Sequence, residues 1–250
     1  MSLPPQPSGR QPPRLGGVDN GDVSSSLRAR RRGAYENPRP DVQVLVPRSA
    51  RRILDIGCSS GALGAAIKQR QEAEVVGIEL LAEYADDARE RLDRVLGADL
   101  EQIFATSPPA DLGEFDCLIA ADVLEHLRDP WQVLTAAARL LAPGGTAVIS
   151  VPNVGYWGTF RELFVRGTWP RHDEGTFDRG HLRWFTRADA IAMMGEAGVP
   201  VTQVAPQYRL RPSDWRTERQ ARRLARGPLR PLLAFQYVLA GRRPPGSALV

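Results

Sequence analysis

Acids and a histidine sit where the apolar runs of this chain end. Ile53-Leu54-Asp55-Ile56 passes into Gly57-Cys58-Ser59-Ser60-Gly61, and Val75-Val76-Gly77-Ile78 ends in Glu79. A third run, Phe115 to Ala121, is followed by Asp122-Val123-Leu124-Glu125-His126. Strand ends that offer carboxylates, with glycines in the first turn, make a nucleotide-type site at the carboxyl edge of a parallel sheet. A carboxylate there can bind ribose hydroxyls or a cationic group. An imidazole beside it suits proton removal near neutral pH.

Such a site leaves two ligands open. The dinucleotide of an oxidoreductase calls for Gly-x-Gly-x-x-Gly, so that the backbone can approach a pyrophosphate at a helix start. Position 59 is Ser where that pattern has its second Gly, and Asp55 puts negative charge beside the phosphates. S-Adenosylmethionine has no phosphate. It carries an ammonium, a carboxylate and a sulfonium, so an acid in this turn suits it and repels a pyrophosphate. Glu79 suits either ligand, because both present ribose hydroxyls to the second strand.

Over residues 34–243 the sequence resembles the class I S-adenosylmethionine-dependent methyltransferases. The family pattern Asp/Glu-x-Gly-x-x-x-Gly is met by Asp55, Gly57 and Gly61, with Ser59 where many relatives have Gly. Glu79 matches the acidic end of strand two, and Gly97-Ala98-Asp99-Leu100 is similar to the segment whose Asp accepts from the adenine amino group. Leu140 to Val151, with Pro143-Gly144-Gly145, is similar to the turn into strand five. The resemblance implies S-adenosylmethionine as cofactor, leaving as S-adenosylhomocysteine. It implies a cofactor site at Asp55, Gly57, Cys58, Ser59, Gly61, Glu79, Leu80, Asp99, Leu100, Ala121 and Asp122. Asp178 to Thr186 resembles a signature of a bacterial small-molecule subgroup close to ubiquinone-biosynthesis and methionine-biosynthesis-type methyltransferases. In similar enzymes a helix before the first strand covers the methionine end, which would bring Tyr35 and Arg39 toward the ligand carboxylate. A segment that merely covers the sheet is the alternative.

The elements that must position these residues alternate regularly. The pattern predicts strands over 52–56, 75–79, 115–120, 146–151, 199–205 and 233–241, with strand three at 94–97 or 101–105. Helices are expected over 41–46, 61–70, 82–95, 130–141 and 186–197, the fourth opened by Asp129-Pro130 and the last by Thr186. This alternation makes an α/β fold, Rossmann-like and doubly wound. Its seven-stranded sheet is mostly parallel, with helices on both faces and an aromatic insertion after strand five. The resemblance implies an antiparallel last strand. Residues 1–33, rich in Pro, Gly, Ser and Arg, are expected to be a disordered tail, 34–243 the methyltransferase domain and 244–250 a C-terminal tail.

Composition bounds the rest. The chain has 250 residues and 42% hydrophobic content, which permits one full core. Cys58 and Cys117 are expected to be reduced packing residues, which fits a cytoplasmic protein, and no apolar run is long enough for a bilayer. Lys68 is the only lysine among 33 basic residues, so the arginine bias weakens arguments from individual arginines. The chain ends are basic and its middle acidic. Basic ends could touch nucleic acid, but no aromatics interleave with the N-terminal arginines and no Asn-Pro-Pro-Tyr or Asp-Pro-Pro-Tyr element follows strand four.

Two segments are left for the methyl acceptor, expected to be a small molecule. Pro152 to Phe185 is a long aromatic stretch at the carboxyl edge, where a lid or acceptor pocket belongs, and it could equally form a homodimer contact. There Asn153 is a candidate to orient the acceptor, and His181 and Arg183 either face it or pin the loop. The second segment is Asp122 to His126. Methyl transfer is an in-line displacement in which the enzyme aligns the nucleophile and excludes water. His126, with His181, is the candidate base for a hydroxyl acceptor. A helix cap is the structural alternative. The resemblance to ubiquinone-type enzymes adds a third, a metal held by Asp122, Glu125 and His126. A catalytically silent partner protein and a nucleic-acid methyltransferase are the rival functions.

Overall fold

The computed structural model describes residues 36–105, 110–208 and 230–246. The N-terminal tail, Tyr35 and most of the basic ends therefore lie outside the described residues. Seven strands form one sheet in the order β3-β2-β1-β4-β5-β7-β6. They are β1 (Arg52–Ile56), β2 (Glu74–Glu79), β3 (Arg94–Gly97), β4 (Phe115–Ala121), β5 (Leu141–Pro152), β6 (Val201–Tyr208) and β7 (Ala234–Arg242). The first five pair in parallel, and β7 runs antiparallel to both β5 and β6. The strand order reverses between β1 and β4, the position at which such sheets open a ligand crevice.

The alternation of side chains along β1 builds two cores at once. Leu54 and Ile56 join the larger apolar cluster on one face, while Ile53 joins the cluster on the other. The first face is covered by α4 (Leu100–Ala105), α5 (Pro130–Ala138) and α7 (Arg187–Glu196). The second is covered by α1 (Pro40–Gln43), α2 (Ala62–Arg70) and α3 (Ala82–Arg89). Capping follows the sequence. Asp129 accepts from the Gln132 amide ahead of Pro130, and Thr186 with Asp189 closes a capping box at α7. Cys58 and Cys117 are free and buried. Among the described residues no helix is long and apolar enough to cross a membrane.

Several expected boundaries move. Strand three is 94–97, and 100–105 is helix, because Asp99 accepts from the Glu101 amide at the helix start. The helix expected over 82–95 ends at Arg89, since the chain must turn to lay β3 beside β2. The first helix is shorter than 41–46 and begins at Pro40. The stretch after β5 is not a plain loop. It holds α6 (Trp157–Phe160), a wide helical turn over Arg161–Val165 and then extended chain. Arg161 and Arg166 both bind the Glu162 carboxylate there. Phe160, Phe164 and Val165 face solvent, whereas Trp169 packs edge-on against Phe177 and Trp184.

Candidate active site

A cleft of about 1750 Å³ lies along the carboxyl edge of the sheet. All but one of the residues expected to touch the cofactor line it. Asp55 stands at the end of β1, 2% exposed, and its Oδ2 has no hydrogen-bond partner. Burial, and then the neighbouring Glu79, push its carboxyl up to about 7, with Arg39 pulling the other way. A buried carboxylate oxygen without a donor is costly unless a ligand supplies one. Glu79, at the end of β2, accepts from the Ser59 amide through Oε2 and from the Leu81 amide through Oε1, both at 2.9 Å. Its carboxylate is thereby fixed, with lone pairs left for ribose hydroxyls, and it makes no ion pair with an arginine among the described residues.

The turn between these acids has a steric logic. Gly57 adopts φ +68°, and a Cβ there would lie 2.3 Å from the Val123 side chain. Cys58, Ser59, Leu80, Asp99, Leu100 and Ala121 line the cleft beside it. Gly61 is the exception. It caps α2 and packs against Leu92 and Ala88 behind the cleft, so its place is structural. Arg39, Ser59 and Asp122, which are not glycines, have left-handed φ of 49°, 50° and 57°, and all three line the cleft. Strained backbone gathered at one place marks a site that the surrounding fold over-determines.

Arg39 and Asp122 organise the floor. Arg39 reaches Asp41 through Nε and Nη2 at 3.0 and 2.9 Å, Ser150 Oγ at 2.8 Å and Asp122 Oδ2 at 2.5 Å. Burial alone would lower its pKa, but the carboxylates of Asp122 and Asp41 outweigh it and the net direction is up. Asp122 Oδ1 accepts from Ser150 Oγ at 2.7 Å and Gln236 Nε2 at 2.6 Å. Both of its oxygens accept hydrogen bonds, and the expected set of Asp122, Glu125 and His126 is not the one that the structure draws together. The structure gathers Glu125, His126 and His181 instead, with one donor atom from each within 4.8 Å of the others.

Glu125 is 1% exposed and neither carboxylate oxygen has a hydrogen-bond partner. Burial, then Asp122, raise its pKa well above the carboxylate range, while burial and then His126 lower that of His181. His181 Nε2 approaches Glu125 Oε1 to 3.9 Å, and burial disfavours charge on both groups. His126 lies edge-on to His181 at 4.7 Å, and its Nδ1 is 3.1 Å from the Gly180 carbonyl. That carbonyl can only accept, so in the neutral ring the proton sits on Nδ1 and Nε2 is the acceptor.

The insertion reaches the cleft through residues between Asp173 and Leu182. Other assignments there change. Asn153 is buried, donating to the Ala234 carbonyl at 2.7 Å and accepting from Gly155, so it ties β5 to β7 and does not line the cleft. Arg183 donates to the Arg128 carbonyl and pins the loop. Gln236 and Ser150 were missed. The one signal for Gln236 was a polar residue interrupting the apolar run from Leu232 to Ala240.

The comparisons agree with this geometry. A family model described as a methyltransferase domain matches residues 28–204. A ubiquinone biosynthesis O-methyltransferase of Pseudomonas aeruginosa is 36% identical over 163 residues, 62% of this chain and 67% of that one. Its counterpart from Methylococcus capsulatus is 29% identical over 182 residues, 68% and 75% of the two chains. Among solved structures, magnesium protoporphyrin IX methyltransferase from Synechocystis, with bound S-adenosylhomocysteine, superposes with TM-score 0.57 at 16% identity, covering 92% of this chain and 90% of that one. A possible histamine N-methyltransferase from Thermotoga maritima gives 0.59 at 20% identity, covering 90% and 96%. With the family model matching most of the chain and the fold shared over about nine tenths of it, the chain belongs to the methyltransferase-domain family, on the class I S-adenosylmethionine-dependent fold.

Proposed function

We propose that this protein transfers a methyl group from S-adenosylmethionine to a hydroxyl of a small-molecule acceptor. The observation that carries the hydroxyl is the Gly180 carbonyl on His126 Nδ1, which leaves Nε2 as a proton acceptor on the cleft wall. When bound, the cofactor supplies an activated methyl on a sulfonium. The residues fit it: the unpartnered Asp55 oxygen awaits a cationic donor, and Glu79 is fixed to accept ribose hydroxyls. Arg39 and Asp122 lie where the methionine end would meet the floor. As the acceptor oxygen bonds to the methyl carbon and the sulfur–carbon bond breaks, the hydroxyl proton passes to His126 Nε2. His181, buried behind His126, holds that ring in place.

The test is calorimetric titration of S-adenosylmethionine and S-adenosylhomocysteine into the intact chain and its Asp55→Ala and Glu79→Ala variants. Micromolar binding, lost in the first variant and weakened several-fold in the second, upholds the cofactor site. Absence of binding to the folded wild type would leave a partner protein that keeps only the fold.

A second reading has its own observation, the two unpartnered oxygens of Glu125 beside two imidazoles. Glu125, His126 and His181 would hold a divalent cation, which would polarise the acceptor oxygen. Turnover abolished by a chelator and restored by added magnesium or zinc would favour it over His126 as a free base.

A further inference from the structure

The far flank of the cleft carries a feature that neither the cofactor nor the methyl-transfer step uses. A cavity of about 150 Å³ opens at the ends of β6 and β7, lined by Arg187, Arg230, Tyr208 and Tyr237 with no acid among its lining residues. Pro206, Tyr208 and Arg230 line both this cavity and the large cleft, so the two adjoin. The sheet order puts β6 and β7 at the opposite end from β2 and β3, whose ends carry Glu79 and the Asp99 turn. The small cavity therefore adjoins the acceptor's end.

Its polar side chains are two guanidiniums and two phenols, set among Val204, Pro206 and Pro231. Arg230 Nε donates to the Tyr208 hydroxyl at 2.6 Å, which fixes both groups, and its terminal nitrogens have no partner among the described residues. Arg187, at the first turn of α7, makes no hydrogen bond or ion pair among the described residues. Tyr237 is 4% exposed and lines the same space. Burial raises the Tyr237 pKa, and the charges of Arg187 and Arg230 pull against that. Two guanidiniums and a buried phenol facing one space without a carboxylate are the donor set for an oxyanion.

We propose that this cavity is an anion subsite that binds a carboxylate or phosphate group on the methyl acceptor. The arginine forks and the Tyr237 hydroxyl donate to the anion, while the body of the acceptor extends past Tyr208 and Pro206 into the cleft. What the anion is attached to rests on the methyl-transfer reading; the anion site itself does not.

The experiment is calorimetric titration of the full chain, in a buffer free of oxyanions, with inorganic phosphate, acetate and phenyl phosphate. Wild type is compared with Arg187→Gln, Arg230→Gln and Tyr237→Phe, and S-adenosylhomocysteine is titrated into each as a check on folding. The expected result is oxyanion binding that falls about tenfold in either arginine variant and several-fold in Tyr237→Phe, with S-adenosylhomocysteine affinity unchanged. Phosphate against acetate identifies the preferred group. Phenyl phosphate should bind more tightly than inorganic phosphate, and equal affinity overturns the acceptor half of the proposal. No oxyanion binding, or binding indifferent to all three substitutions, overturns the site. Oxyanion binding that depends on the arginines in a chain that ignores S-adenosylhomocysteine would uphold the subsite while removing the methyl-transfer reading.

Discussion

His126 and Asp55 are the two residues whose chemistry is set by what surrounds them. For His126 it is the Gly180 carbonyl, which selects the neutral tautomer with the proton on Nδ1. His126→Ala should lower turnover at least a hundredfold, the usual contribution of a general base, with S-adenosylhomocysteine affinity intact. Gly180→Ala gives a finer test. Its Cβ would lie 3.2 Å from His126 Nδ1, so the ring must shift, and turnover should fall while binding holds. Unchanged turnover in both would return His126 to a structural role. For Asp55 the surroundings are apolar and acidic, and its carboxyl is pushed up to about 7. Between about pH 4 and 7 the unfolded chain has released a proton that the ligand-free folded chain keeps, so stability should decline as pH rises across that window. Asp55→Asn should reduce that slope in denaturant melts, leaving the part that the raised Glu125 carboxyl contributes. Cofactor binding runs the other way, because a cationic ligand needs the ionised acid. Affinity should rise with pH up to about 7 in wild type and stay flat in the variant.

At the scale of elements, turns and caps decide where the site residues stand. The β1–α2 turn brings Asp55 and Ser59 together with Glu79 because Gly57 lets the chain pass Val123 with no Cβ in the way. This turn was legible in the sequence, since glycine spacing and apolar runs are local signals. The start of α7 was legible for the same reason. Its capping box is reciprocal, with Thr186 accepting from the Asp189 amide and Asp189 accepting from the Thr186 amide. Thr186→Ala should cost about 1 kcal/mol of stability, read as a shift in urea midpoint without a change in slope. A neutral result would mean that packing of Ala190, Met193 and Met194 holds the helix start by itself. Strand three was not legible. Both candidate stretches are short, and pairing with β2 through Val76 to Glu79, a long-range event, selects 94–97.

For the whole molecule, the sheet order determines which ligand groups can be held at once. A ligand that binds only the folded state stabilises by mass action. S-Adenosylhomocysteine at a hundred times its Kd should add about 2.7 kcal/mol, a rise in Tm of roughly 5–10 °C for a chain of this size. A thermal scan showing no shift would count against the cofactor site as a whole. The sequence by itself determined the α/β class, the carboxylates at the ends of β1 and β2 and the histidine after β4. These follow from periodicity, turn residues and spacing, which act over a few neighbours. Only the tertiary structure decided that Gly180 would hold His126, that Gln236 and Ser150 would occupy Asp122 and that Glu125 would meet His181. It alone brought Arg187 and Arg230 to one cavity with Tyr237. Those meetings join residues far apart in the chain. They are fixed by strand order, by the antiparallel β7 and by how the insertion folds back on the sheet edge, none of which leaves a local pattern.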